Sequence, residues 1–225
     1  METQLRNNKW LLLAITFIIF PLILISDSKA AQVTFVVEGH LDYVGAELAG
    51  TFSIGDLYHL EYTFDPNTID SVPGDPGLGG YNNSISSLSV QISSYYAVAA
   101  SNGRSHITVI NDHPVDADQY RVDLLDPMVG NSINGYDLAN YQASLLSMTD
   151  LSMNVFSNDE LITYALAPSN FIGYMALTFE NSISGTTGIQ ADISSFQVSS
   201  VPVPNSFWLF LPGLISLFGI SRFKK

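Results

Sequence analysis

Apolar and polar residues alternate with period two wherever this chain turns apolar, and windows with the three-to-four spacing of an amphipathic helix are scarce. Across 33–37, Val33, Phe35 and Val37 point one way. Across 59–64, Leu60, Tyr62 and Phe64 oppose His59, Glu61 and Thr63, which makes His59 a solvent-facing strand position. The same pattern predicts strands over 88–92, 106–110, 120–124, 171–179 and 189–198. Turn-forming clusters separate them: Asp65-Pro66-Asn67, the Pro/Gly run from Pro73 to Gly77, Asn102-Gly103, Asn134-Gly135 and Gly185-Thr186-Thr187-Gly188. Short strands spaced in this way predict an all-β domain of two antiparallel sheets packed face to face, a β-sandwich of jelly-roll or lectin-like type. Over 137–146 a short helix competes, because Leu138, Tyr141 and Leu145 recur at spacings of three and four. Residues 73–80 hold four glycines and two prolines and predict a surface loop.

The two ends depart from this pattern. Arg6 and Lys9 precede a sixteen-residue apolar stretch over 10–25, and a polar segment follows. Small residues at Ser28 and Ala30 then place a signal-peptidase cut between Ala30 and Ala31. The stretch falls short of the ~20 residues that span a bilayer, which favours a cleaved export signal over an anchor helix. At the other end, 207–220 is apolar, interrupted by Pro212-Gly213, and followed by Arg222, Lys224 and Lys225. As a helix it reaches roughly 21 Å against a hydrocarbon core of about 30 Å. The basic cluster stays cytoplasmic and leaves the body outside. A permanent anchor or a buried strand with a basic end are the alternatives. The chain thus divides into an export signal (1–30), an exported domain (31–200) and a C-terminal segment (201–225).

Charge sharpens that division. Residues 31–200 hold 19 of the 21 acids against two bases, Arg104 and Arg121, a formal charge of −17. Such a body repels phosphate backbones, so nucleic acid is excluded as a partner, while divalent cations and basic partners remain open. The chain has no cysteine, which removes disulfides, thiolate metal sites and cysteine nucleophiles. An exported domain of this length must therefore be held by its own core, and it is long enough to bury one.

Catalytic patterns are missing from the body. His40, His59, His106 and His113 never take the two-histidine helical spacing of a metalloprotease, and no Gly-x-Ser-x-Gly elbow occurs. Neighbouring carboxylates, Asp116 with Asp118, Asp123 with Asp126 and Asp159 with Glu160, are the material of a glycosidase pair, but nothing selects one pair over another. For calcium, Asp65, Asn67 and Asp70 supply oxygens in one turn and Asn111, Asp112, Asp116 and Asp118 in a second. Neither turn follows the EF-hand pattern, and Asx-type turns with exposed carboxylates are the simpler account of both. For sugars, both tryptophans, Trp10 and Trp208, lie in the hydrophobic ends, leaving tyrosines as the body's aromatic surfaces. Tyr95 and Tyr96, adjacent in a strand, must face opposite ways.

The C-terminal residues carry a resemblance. Val201-Pro202-Val203-Pro204, then Trp208-Leu209-Phe210, an apolar run with Gly213 and Gly219, and the terminal Arg222-Phe223-Lys224-Lys225 resemble the PEP-CTERM sorting signal of Gram-negative bacteria. The glutamate usual between the prolines is Val203 here, as in a Val-Pro-x-Pro-Trp-Leu-Phe variant. The resemblance implies export across the inner membrane, transient membrane anchoring, recognition and cleavage by an exosortase, and association with exopolysaccharide or biofilm. Glu61-Tyr62-Thr63-Phe64-Asp65-Pro66-Asn67 is also similar to stretches in the bodies of exported PEP-CTERM proteins. The expectation is a non-enzymatic cell-envelope or extracellular-matrix protein without a required cofactor. The alternatives are a polysaccharide-active hydrolase using a carboxylate pair and a permanently anchored carbohydrate- or calcium-binding protein.

Overall fold

Period-two alternation becomes strand nearly everywhere in the computed structural model, which describes residues 32–99, 103–112 and 117–199. The export signal with Ser28, Ala30 and Ala31, the calcium candidate Asp116, and the whole sorting segment lie outside the described residues. Thirteen strands form: β1 (Val33–Val44), β2 (Leu57–Phe64), β3 (Leu78–Asn82), β4 (Ile85–Ile92), β5 (Tyr95–Ala99), β6 (Ser105–Ile110) and β7 (Asp118–Leu124). After them come β8 (Met128–Gly130), β9 (Asp137–Leu138), β10 (Gln142–Asp150), β11 (Ile172–Asn181), β12 (Gly185–Ala191) and β13 (Ser195–Ser199). Two single 3₁₀ turns, Ala46–Leu48 and Pro168–Asn170, are the helical content among the described residues. Among the described residues no helix is long and apolar enough to cross a membrane.

One antiparallel sheet runs β3-β6-β7-β10-β11-β12-β1-β2-β4-β5-β8, with β13 added on β1 and β9 on β11. Its seam is β1. Residues Thr34 to Glu38 pair with both β2 and β13, whereas Leu41, Tyr43 and Val44 pair with β12 across an irregular register. Gly39 stands at the changeover, where a Cβ would collide with the Asp192 carbonyl, so glycine alone lets the strand pass there.

The sheet curls into a half-barrel around an aromatic core. Four strands separate β2 from β7 along the sheet, yet the Tyr62 hydroxyl donates to the Tyr120 hydroxyl at 3.0 Å. Phe35 packs edge-on to both rings, at 5.6 and 6.5 Å between centroids, and Phe64 and Phe196 complete that end. A second cluster of Phe52, Tyr95 and Phe179 fills the other end. Every one of these rings is at least nine-tenths buried, and edge-on aromatic pairs add about 0.5–1.5 kcal/mol each beyond the area they bury. The core thereby meets the requirement set by the missing cysteines.

Four local expectations are corrected. Residues 137–146 are β9 and the start of β10, not helix. A bulge between Gln142 and Leu146, with Ser144 in the left-handed region (φ 50°), buries Leu145 and Leu146 in succession, while Tyr141, the middle residue of the helical spacing, is exposed. The stretch 185–188 is strand rather than turn, the chain having reversed before it. Residues 189–198 are two strands, the end of β12 and most of β13, which pair with successive stretches of the same strand β1. The glycine-rich 73–80 is loop only as far as Gly77. Gly79 and Gly80 are buried in β3, where a Cβ on Gly79 would overlap the Asp159 carbonyl oxygen.

Candidate functional site

The acidic turns hold backbone in place. Asp65 accepts the Asn67 N–H at 2.9 Å and the Asn67 side-chain amide at 3.2 Å, an Asx turn. Asp70 turns away from that pair to accept the N–H groups of Val72 (2.9 Å) and Gly80 (2.8 Å), tying a loop to the edge of β3. Asp112 is exposed with φ 50°, and its N–H donates to Asp118 at 3.1 Å. Asp118 is fully buried, and its second oxygen accepts Val155 and Phe156 N–H groups, both at 2.9 Å. Asp112 and Asp118 are thus brought together, while Asp65, Asn67 and Asp70 do not converge on one point. Among the described residues no group of three or more His, Asp or Glu is arranged to hold a metal ion.

The carboxylate pairs are similarly engaged. Asp123 accepts the Arg121 Nε–H at 2.9 Å and the Ser144 N–H at 2.6 Å. Asp126 takes three donors from Arg104, whose backbone N–H comes first among the causes that hold its carboxyl below the usual aspartate range. Periodicity gave no hint of Asp150, the direct cross-strand partner of Asp118. Its carboxylate accepts the Ser152 hydroxyl and the Ser152 and Asn154 N–H groups, which keep it ionised to lower pH than usual. A small cavity of about 10 Å³ beside Arg104 and Asp126 has room for one water.

Another surface has a more open arrangement. On the outer face of β13, β1, β2, β4 and β5, the registers align Ser195, Glu38, His59, Gln91 and Tyr96 as direct neighbours in one row. Beside it runs a second row through Gln197, Val36, Glu61, Ser89, Val98 and Val129. Adjacent strands lie about 4.8 Å apart, so the two rows extend roughly 20–25 Å around the outer side of the curled sheet. In the centre, the Glu38 carboxylate lies 3.0 Å from His59 Nδ1 and the Glu61 carboxylate 3.9 Å from Nε2. All three side chains are 38–49% exposed. At one end Tyr96 is 56% exposed beside Val129 at 65%, because its neighbour Tyr95 has taken the core-facing position against Phe52 and Phe179.

The opposite outer face is more closed. His106 Nδ1 meets Asn82 at 2.8 Å, and burial pushes its imidazole below the usual histidine range. Neighbouring Gly80 is packed against Ser71 and Val72 of the loop that Asp70 ties down. Comparison of the chain with protein-family profiles, with curated proteins and with solved structures gives no match. Chemically, the open face offers carboxylate, imidazole, amide and hydroxyl groups next to an aromatic ring. Alternation pointed to the outward direction of His59 and Glu61. Their neighbours Glu38, Gln91 and Tyr96 come from three other strands and depend on a register the pattern does not encode.

Proposed function

We propose that this protein is an exported, exosortase-sorted component of the cell envelope or extracellular matrix, non-enzymatic and adhesive in role, with its curled sheet closed as a jelly-roll-type β-sandwich. One observation carries the reading. Strands β1 and β13 are paired antiparallel with Thr34 opposite Ser199, so the described domain begins and ends side by side, at the same end of two neighbouring strands. A domain of that form can be joined at both ends to signals for export and sorting without either junction interrupting the sheet. The engagement of Asp118, Asp123, Asp126 and Asp150 by backbone and arginine donors supports a structural over a hydrolytic role for these carboxylates.

The test is the intact mass of the protein isolated from cells that make it, with and without the exosortase. The expected mature form begins at Ala31 and lacks Trp208 to Lys225. Retention of the tail in exosortase-containing cells would instead establish a permanent anchor. Turnover of matrix glycans by the isolated protein, abolished by changing one carboxylate pair, would establish the hydrolase reading.

A further inference from the structure

We propose that the outer face bearing Glu38, His59, Glu61, Gln91 and Tyr96 binds a polysaccharide whose sugars carry free amino groups. The inference rests on the adhesive reading above, but not on export or sorting.

Three features define the occupant. The face is the open, outward-curving side of the sheet, and its two rows run across the strands, so a polymer lying along a row meets a new side chain at every strand. Polar groups alternate in kind along it. Glu38 and Glu61 present carboxylate oxygens beyond those turned to His59, while Gln91 and Ser89 present neutral partners suited to sugar hydroxyls. Tyr96 with Val98 and Val129 adds a flat apolar end on which a sugar ring can rest and a nearby ammonium can meet the ring face.

Charge then chooses among glycans. The domain carries a formal −17, and the two ionisable side chains flanking His59 on this face are acidic. An acidic polysaccharide is repelled and a neutral one gains nothing from the carboxylates, whereas ammonium groups are attracted at long range and paired at contact. A basic peptide shares that charge but makes little use of the neutral hydrogen-bonding positions or of the sugar-sized platform at Tyr96.

The test uses the full chain in a mild nonionic detergent and titration calorimetry with three probes: glucosamine hexasaccharide, N-acetylglucosamine hexasaccharide and hexalysine. The glucosamine oligomer is expected to bind measurably better than both others. Glu38→Gln and Glu61→Gln should each weaken it about two- to fivefold, as exposed charge pairs do. Tyr96→Ala should weaken it about three- to tenfold, with Tyr96→Phe restoring binding. Asp42→Asn removes one exposed carboxylate elsewhere and should leave affinity unchanged. An unchanged melting temperature shows that each variant is folded. Equal binding of the N-acetylated oligomer, equal binding of hexalysine, an Asp42→Asn effect as large as that of Glu38→Gln, or no binding at all would each overturn the proposal. Those outcomes leave the processing pattern untouched, so the two proposals fail separately.

Discussion

Changing Tyr62 and Tyr120 to phenylalanine, singly and together, asks whether the two halves of the curled sheet face one another. Both side chains are completely buried, and their hydroxyls share one hydrogen bond of 3.0 Å. In Tyr62→Phe the Tyr120 hydroxyl loses its partner in a site without water access, and in Tyr120→Phe the Tyr62 hydroxyl is orphaned in turn. Each single change is therefore expected to cost about 1–3 kcal/mol, the penalty of an unsatisfied buried hydroxyl. The double change removes both polar groups, keeps both rings, and is expected to be nearly neutral. The coupling energy is then about 2–6 kcal/mol in magnitude, far above what independent sites give. For a domain of this size about 2–4 °C of melting temperature corresponds to 1 kcal/mol. Circular dichroism melts should thus show each single variant about 2–12 °C below the parent, near 6 °C at the middle of both ranges, and the double variant within about 2 °C of it. Additive losses would refute the reasoning, because hydroxyls that do not meet cannot compensate each other, and the curl of β2 over β7 would fall with them.

Other expectations follow from the same geometry. Asp118→Ala leaves the Val155 and Phe156 N–H groups without their acceptor, at about 3–5 kcal/mol, and should open the stretch after Asp150 to limited proteolysis. Asp118→Asn, which keeps one acceptor oxygen, should recover part of the loss, and equal stability of all three proteins would remove the clamp. Burial raises the phenols of Tyr58, Tyr62 and Tyr120 above the tyrosine range, and those of Tyr81 and Tyr95 to about 12. The unfolded chain loses these protons near pH 10 while the folded one keeps them, so stability is full below about pH 10 and falls as pH rises beyond it. Tyrosinate absorbance from these residues should appear together with unfolding, and its appearance in the folded protein near pH 10 would contradict their burial. Finally, Asp65, Asp70 and Asp118 already hold backbone N–H groups, so millimolar chelator should leave the melting temperature unchanged; a clear drop would show that a cation holds these turns.

The faces of the strands were legible where alternation was unbroken, as in His59 to Phe64, because burial on a curled sheet has the same period as the pleat. Alternation does not report how many partners a strand has, so the dual role of β1 was hidden in what read as five residues from Val33 to Val37. Leu138, Tyr141 and Leu145 misled because their spacing crosses two strands: Leu138 is buried in β9, Tyr141 is exposed between the strands, and Leu145 is buried at the bulge in β10. Asp118 read as a surface turn residue because nothing near it in sequence covers it; Val155 and Phe156, which do, arrive from beyond β10. The open face was half legible, its outward residues being visible strand by strand and its rows only through register. Tyr96 shows the same limit: a pair of adjacent tyrosines must split between the two faces, and only packing against Phe52 and Phe179 decides that Tyr95 goes inside.

The pairing of the first strand with the last also bears on how the chain acquires its shape. A polypeptide emerges with its N-terminus first, so β1 is made early, yet the β12 and β13 strands that flank it come at the very end. Until Ser199 has emerged, the seam of the half-barrel lacks strands on one side, and the apolar face of Phe35 and Val37 lacks the cover of Phe196. Contacts this distant in sequence raise the contact order and slow folding. The consequence is a domain whose seam stays open until β13 has been made.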